Sequence, residues 1–239
     1  MSARSVEELM DELDRYIAEN RYSRHSFVGA IADGRYTKEG LRRWAVQKYF
    51  QTREQNCIHG AVHFNSRPYL DVRQYQVEQL VDEETAEGEG SAPHYLLIKR
   101  LADALGATEA DYARENIGPG VHRFVDYLLN LAHDEHPTIG MMASYINERQ
   151  TPESATKMYN ALKSQLGYDD ATLEWFICHA GADVEHADTA RNLIIKYAGD
   201  VPDFHERAWR VVKNGIAEWK ALQDYYYSLL GAEVALAQA

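Results

Sequence analysis

The stretch Phe-Ile-Cys-His-Ala-Gly-Ala-Asp-Val-Glu-His, residues 176–186, carries two histidines and an aspartate at helical spacing. At about 100° per residue, His179, Asp183 and His186 fall within an arc of roughly 60° on one face of a helix. Apolar residues of the same predicted helix lie near that face and indicate that it is buried: Leu173, Phe176, Ala180, Ala187 and Ala190. One carboxylate between two imidazoles suits iron, zinc or manganese. The stretch therefore favours a metal site inside a helical protein over a solvated polar surface.

Helical periodicity continues along nearly the whole chain, and no alternating run rich in Val, Ile or Thr indicates a strand. Capping residues, glycines and prolines divide this pattern into predicted helices near 6–19, 27–32, 38–64, 70–86, 94–105, 121–132, 137–150, 152–167, 170–198 and 202–230. A polar stretch containing two glycines, residues 87–93, interrupts it. No linker, repeat or low-complexity segment divides the 239 residues, so we expect one all-α domain over residues 1–239.

Composition narrows the classes of partner. The formal net charge is −12, which disfavours nucleic acid and gives no reason to expect an anionic membrane surface. The two cysteines, Cys57 and Cys178, form no C-x-x-C pair, so we expect neither a disulfide framework nor a structural zinc site. The first residues are acidic rather than signal-like, and no apolar run approaches the roughly 20 residues that cross a bilayer. We therefore expect a cytoplasmic protein that acts on a small molecule.

Two further clusters offer metal ligands. Glu87 and His94 flank the glycine-containing break with six residues between them, although an acidic stretch of this kind is more often solvent-facing. Glu148 lies in a mostly apolar helix, where a carboxylate is costly to bury unless it is paired or bound to a metal. From the residues alone, an ion pair between Glu148 and Arg149 is as good an interpretation as a metal ligand.

The order of these candidates resembles one family, the haem-oxygenase-like diiron oxidases. The family pattern is Glu-x6-His on one core helix, a Glu on the next, and His-x3-Asp-x2-His on the third. This sequence supplies, in that order, Glu87-x6-His94, Glu148 and His179-x3-Asp183-x2-His186. The likeness extends from Ser26 to the last helix. It implies a seven-helix bundle related to haem oxygenase, thiaminase II and pyrroloquinoline-quinone synthase, here with an additional N-terminal helix.

The resemblance also implies a chemistry. It predicts a non-haem diiron oxygenase in which two iron ions alternate between Fe(II) and Fe(III). Dioxygen is the co-substrate, a peroxide between the irons is the oxidant, and an external electron donor serves where the reaction needs one. Two groups of ligands are implied, joined by Glu148 as a bridge: Glu87, His94 and His179 on one iron, Asp183 and His186 on the other.

The expected reaction is N-oxygenation of a small amine-containing metabolite in natural-product biosynthesis. Two alternatives stay open. The same cofactor supports oxidative C–C or C–N cleavage of an amino acid or fatty acid. The related fold also serves metal-independent enzymes of the thiaminase II and pyrroloquinoline-quinone synthase type, although these lack the full ligand pattern.

Several polar residues are candidates for the substrate pocket. Asn56, His59 and His63 lie on one predicted helix and favour a polar substrate over a fatty acyl chain. Tyr49 and Tyr145 are added by their position in the pattern alone. His59 and His63 also have the i, i+4 spacing of a metal-binding pair, but no carboxylate pattern accompanies them.

Assembly is a separate expectation. The last predicted helix carries aromatic residues from Trp209 to Tyr227 that would be buried against a twofold mate, so we predict a homodimer. Light scattering at micromolar protein concentration should give twice the chain mass, and the mass of a single chain would contradict this prediction.

Overall fold

The computed structural model describes residues 4–181 and 183–231, without the side chains of residues 183–185. The described residues form thirteen α-helices and no strand. The helices are α1 (Val6–Glu19), α2 (Ser26–Ala32), α3 (Lys38–Gln55), α4 (Cys57–Asn65), α5 (Leu70–Glu84), α6 (His94–Ala104), α7 (Pro119–Asp134), α8 (Pro137–Gly140), α9 (Met142–Glu148), α10 (Thr151–Leu166), α11 (Glu174–Gly181), α12 (Asp183–Tyr197) and α13 (Phe204–Leu229). The predicted all-α class is confirmed. No described helix has the length and apolar character needed to cross a membrane.

The helices pack in pairs around one hydrophobic core. α3 runs along α6 and α7, α10 along α11 and α2, α12 along α9, and α4 along α5. The long helix α13 contacts α1, α2, α3, α7 and α9 and so crosses most of the bundle. This arrangement brings the ends of α5, α9 and α11 and the start of α6 to one region of the interior.

The outer boundaries of most helices follow the local sequence signals. α1 begins after Ser5, whose hydroxyl accepts from the Glu8 amide at 3.2 Å while the Glu8 carboxylate accepts from the Ser5 amide at 2.9 Å. Gly167 ends α10 with φ +69°, a left-handed conformation that glycine adopts without strain.

Two predicted helices are divided in the structure. The predicted helix 38–64 is two helices that meet at Asn56, and 137–150 is two helices that meet at Met141. Asparagine is a weak helix former, which accounts for the first division. α11 and α12 cover the predicted helix 170–198 on either side of residue 182, which lies outside the described residues. Asn56, at the first division, lines the interior region described below.

Gly40 is the point where the start of α3 meets the end of α13. A Cβ there would collide with the main-chain carbonyl of Leu230, which also accepts from the Thr37 amide at 2.9 Å. Gly60, in α4, has open space around the corresponding position. We expect Gly40→Ala to lower the free energy of unfolding by roughly 1–3 kcal/mol, as overpacking does. Gly60→Ala should raise it by about 0.5–1 kcal/mol, because alanine is the better helix former. Urea denaturation of both variants measures the difference, and equal effects would contradict this account.

Candidate metal centre

The segment between α5 and α6 determines which carboxylate reaches the interior. α5 ends at Glu84, where Thr85 adopts an extended conformation with φ −130° and ψ 174°. The Thr85 hydroxyl donates to the Val81 carbonyl at 2.6 Å and accepts from the Glu87 amide at 3.0 Å. Glu83 therefore lies in the last turn of α5, while Glu87 belongs to the following irregular segment.

Glu83, His94 and His179 form a compact group. Glu83 Oε2 lies 3.1 Å from His94 Nδ1, and Glu83 Oε1 lies 3.8 Å from His179 Nε2. One ligand atom from each residue lies within 4.8 Å of the other two. The imidazoles are 5–7% exposed by residue or side chain, so the group is shielded from solvent. A carboxylate and two imidazoles at this spacing can bind one metal ion.

Both imidazoles are oriented by main-chain carbonyls. His94 Nε2 lies 2.9 Å from the Glu89 carbonyl oxygen, and His179 Nδ1 lies 2.7 Å from the Trp175 carbonyl oxygen. A carbonyl only accepts, so the nitrogen facing it carries the hydrogen. In a neutral ring the other nitrogen then presents a lone pair, here toward Glu83. Two lone pairs facing a carboxylate repel it unless a cation lies between them, and such anchoring is typical of metal-binding histidines.

A proton is the smallest cation that can lie between the imidazole nitrogens and the Glu83 carboxylate. Burial disfavours a charged imidazole, but the Glu83 carboxylate outweighs it and raises the pKa of His94 to about 9. Burial would raise the pKa of Glu83, yet His94 and His179 hold that pKa well below its ordinary value. The Glu83 carboxylate therefore stabilises positive charge at His94, whereas burial lowers the pKa of His179 and favours its neutral form.

Buried polar atoms without hydrogen-bond partners test whether the residues fit a metal. Among the buried side-chain atoms of the described residues that lack such a partner, three are ligand-type atoms at this site, Glu83 Oε2, His94 Nδ1 and Glu148 Oε2, and the amide nitrogens of Asn56 and Gln79 beside them also lack one. Glu83 Oε2 and His94 Nδ1 are 3.1 Å apart but are not aligned as a hydrogen bond. Unsatisfied buried oxygen and nitrogen atoms are rare in folded proteins. These three are all of ligand type, so the site fits a metal ion.

Glu148 lies at the end of α9 and is 6% exposed. Burial and the nearby Glu83 carboxylate raise its pKa to about 8, against the effect of Arg149. The ion pair with Arg149 considered above is not formed, since Arg149 pairs with Asp14 and Asp188. Glu148 instead faces a small interior cavity that Glu83 also lines. The other described residues that line this cavity are Gln55, Asn56, Ile58, His59, Gln79, Leu128, Ala143, Ser144, Asn147, His179 and His186.

His186, the last residue of the His-x3-Asp-x2-His pattern, lies at the edge of this cavity. His186 Nε2 is 3.4 Å from Asp82 Oδ2, and the His186 side chain is 24% exposed. The side chain of Asp183 lies outside the described residues, so its role as a ligand stays a prediction. The residues that offer ligands beyond the first group are therefore Glu148, His186 and Asp82.

The structure does not bring Glu87 into the group. Its side chain is exposed and lines an outer groove that Asp82 and His186 also line. Glu83 occupies the place expected for Glu87, because α5 ends before Glu87. A sequence signal for Glu83 does exist: Val72, Gln76, Gln79 and Glu83 are spaced for one helical face, and the first three are buried.

The expected pocket residues separate into two groups. Asn56 and His59 line the small interior cavity beside Glu83 and Glu148, which we call the metal cavity. His59 Nδ1 lies 2.9 Å from Gln76 Oε1. The other three expected pocket residues, His63, Tyr49 and Tyr145, are not among the described residues that line the metal cavity. His63 is half-buried, the Tyr49 ring packs against Phe50, Tyr95 and Tyr112, and Tyr145 is buried with its hydroxyl bonded to Asp14.

Comparison with known proteins supports the iron interpretation. A family model described as "Iron-containing redox enzyme" matches residues 42–216, most of the chain. A protein of Nitrosomonas europaea named 4-aminobenzoate synthase is 27% identical over 225 residues, covering 90% of this chain and 89% of its own. A Chlamydia pneumoniae protein of the same name is 25% identical over 187 residues, covering 78% of this chain and 81% of its own.

A solved structure supports the expected fold. A domain of unknown function from Shewanella denitrificans, described as having a heme oxygenase-like fold, superposes with a TM-score of 0.72 at 17% identity. The match covers 100% of this chain and 97% of that domain. The haem-oxygenase-like fold predicted from the sequence is confirmed.

Proposed function

The chain belongs to the family of iron-containing redox enzymes, and we propose that it is a dinuclear, dioxygen-dependent oxygenase acting on a small amine-containing molecule. One observation carries the proposal most directly. Glu83 is held between two imidazoles whose N–H groups are tied to main-chain carbonyls, with both lone pairs turned toward the carboxylate. That arrangement suits a cation, and Glu83 Oε2 and His94 Nδ1 within it, with Glu148 Oε2 nearby, lack hydrogen-bond partners.

The proposed ligand assignment combines the groups in the structure with Asp183, whose place follows from the resemblance. Glu83, His94 and His179 would hold one iron, and Asp183 and His186 the other, with Glu148 shared between them. Iron bound there supplies the capacity to activate dioxygen. The protein supplies ligand orientation through Glu89 and Trp175 and a cavity from which bulk solvent is excluded.

The substrate class rests on the relatives and on the cavity lining. 4-Aminobenzoate, named as the product of both relatives, is an aromatic amine with a carboxylate. The cavity lining beside the ligands is mostly polar, with Asn56, His59, Ser144 and Asn147. Both features favour an amine-containing molecule, as substrate or product, over a fatty acyl chain. Oxygenation at nitrogen is the proposed outcome, and oxidative C–C or C–N cleavage of an amino acid is the second candidate.

Iron loading under anaerobic conditions followed by oxygen exposure tests the proposal. Oxygen uptake should require both iron(II) and an amine, with about two iron ions per chain by metal analysis. Mass spectrometry of the product distinguishes a nitrogen–oxygen bond from a shortened carbon skeleton. Equal turnover by metal-free protein would reject the proposal in favour of a metal-independent enzyme of the thiaminase type.

His59 provides a test of the pocket that leaves the metal ligands intact. His59 lines the metal cavity, whereas the neighbouring His63 is not among the described lining residues. We expect His59→Leu to lower kcat/KM on the order of 10-fold with unchanged iron content, as loss of one polar substrate contact does. His63→Leu should stay within about twofold of the unmodified enzyme. A loss of iron in His59→Leu would instead place His59 among the residues that support the ligands.

A further inference from the structure

A second interior cavity lies beside the metal centre, between α2, α3, α10, α11 and α13. Trp175 joins the two regions. Its ring stacks on the imidazole of His179, with 4.1 Å between ring centroids and 23° between planes, and it also lines this second cavity. We refer to the space as the aromatic cavity. A molecule bound in it lies one aromatic ring away from a proposed iron ligand.

The walls of the aromatic cavity are mainly flat rings. They come from Phe27, Trp44, Trp175, Phe176, Trp219 and Tyr226. As these side chains stand, the free space admits molecules the size of water. Met158 forms another wall, and methionine side chains adapt readily to a new neighbour. A thin, planar group is the shape that enters between such rings with the smallest displacement.

Three hydrogen-bond donors in these walls lack an acceptor. The indole nitrogens of Trp44, Trp175 and Trp219 are buried and have no partner among the described residues. The three side chains are 2%, 6% and 2% exposed. An indole N–H only donates, and buried donors are almost always paired. Gln223 Oε1 is a buried, unpaired acceptor in the same walls, so three unpaired donors stand against one acceptor, which favours an occupant with acceptor atoms.

Lys48 adds a cationic donor to the same cavity. The Lys48 residue is 9% exposed, and its amine lies 4.3 Å from the centre of the Trp175 ring and donates to Gln51 Oε1 at 2.9 Å. Gln51 donates in turn to Gln55, which lines the metal cavity. The donors of the aromatic cavity therefore include a buried amine beside the ring that stacks on His179.

A surface groove adjoins the aromatic cavity at Tyr22. Tyr22 stacks on Trp219 at 5.1 Å between ring centroids, and it lines both the aromatic cavity and an outer groove. Arg21, Arg24 and Lys220 line that groove together with Glu19 and Asp224, so its charge is mixed.

We infer that the aromatic cavity binds a planar aromatic carboxylate. Its two oxygens can accept several hydrogen bonds from the indole N–H groups and Lys48, and its ring stacks between the aromatic walls. Binding itself does not depend on iron. Only the further claim that the bound acid is the substrate or product rests on the proposed function.

Tryptophan fluorescence gives a direct binding assay. Three of the four tryptophans line the aromatic cavity, so Trp209→Phe leaves only these three as emitters. Benzoate added to the full chain, with and without iron, should change their emission saturably. Cyclohexanecarboxylate, which is not planar, and benzyl alcohol, which is not charged, should each bind at least 10-fold more weakly.

Two variants assign the binding to this cavity. In the same background, Lys48→Met should weaken benzoate binding at least 10-fold, whereas Lys38→Met, at the start of α3, should leave it unchanged. Trp44→Phe keeps a ring but removes one donor and should weaken binding about 5-fold, which serves if Lys48→Met fails to fold. Absence of saturable binding, or equal binding of all three compounds, overturns the inference.

The same samples separate this inference from the proposed function. Benzoate binding without any iron-dependent oxygen uptake supports the aromatic cavity as a binding site and rejects the oxygenase proposal. Oxygen uptake with an amine, but no benzoate binding, supports the oxygenase and overturns the aromatic cavity as an acid-binding site.

Discussion

Replacing Glu83 with glutamine is expected to remove most of the iron and to lower oxygen uptake by on the order of 100-fold or more, since even residues that only support metal ligands are worth 10- to 100-fold. Glutamine keeps the size of the side chain but removes the negative charge that lies between His94 and His179. The two imidazole lone pairs would then face a neutral amide. Iron content by metal analysis and oxygen uptake with an amine measure the two effects.

Glu87→Gln is the matched control. Glu87 is exposed, lies four residues away and would lose the same charge, yet its side chain is outside the metal group. We expect iron content and oxygen uptake within about twofold of the unmodified protein, as for most surface changes. The opposite result, in which Glu87→Gln loses iron and Glu83→Gln retains it, would contradict this assignment. It would show that Glu87, as the sequence spacing predicts, is the ligand and that Glu83 is not.

The difference between Glu83 and Glu87 shows where sequence reasoning reaches its limit. The six-residue spacing to His94 selects Glu87, and a helix extended to residue 86 would keep it near the interior. In the structure α5 ends two residues earlier, at Glu84, because Thr85 bonds back to Val81 and adopts an extended conformation. Threonine favours such local bonds, but periodicity alone does not show that this one will end the helix.

Other parts of the fold follow from local chemistry and were accessible from the sequence. α1 spans the predicted residues because Ser5 and Glu8 form a capping box. The burial of His179 was likewise predicted from the sequence, because the apolar residues around it indicate that this face of the helix is buried. The division of helices at Asn56 and Met141 was missed, because hydrophobic periodicity continues across both junctions.

The aromatic cavity could not be predicted from the sequence, for a different reason. Trp44, Trp175 and Trp219 come from α3, α11 and α13, and each reads as a packing residue when taken alone. Their shared property, an indole N–H without an acceptor, is visible only when the three helices are assembled. The packing of distant helices therefore creates the aromatic cavity, whereas the sequence around each tryptophan shows only that an indole side chain is present.

The two proposed irons should bind with unequal affinity. His94 and His179, at the first position, have side chains that are 6% and 7% exposed, and a main-chain carbonyl orients each ring. The His186 side chain is 24% exposed and faces Asp82 at 3.4 Å. Greater exposure weakens the electrostatic attraction between ligands and metal. Gly181, two residues before Asp183, adds a weak helix former to the segment that carries the second position.

His186→Ala is therefore expected to retain about one iron per chain while oxygen uptake falls by on the order of 100-fold. Asp183→Ala should behave in the same way if its side chain is the partner ligand. His94→Ala, by contrast, should lower the affinity of the tighter position and leave less than one iron at limiting metal. Anaerobic titration with iron(II) reports both steps. The unmodified protein should show two separated binding phases, and a single phase of two equivalent ions would rule out the asymmetry.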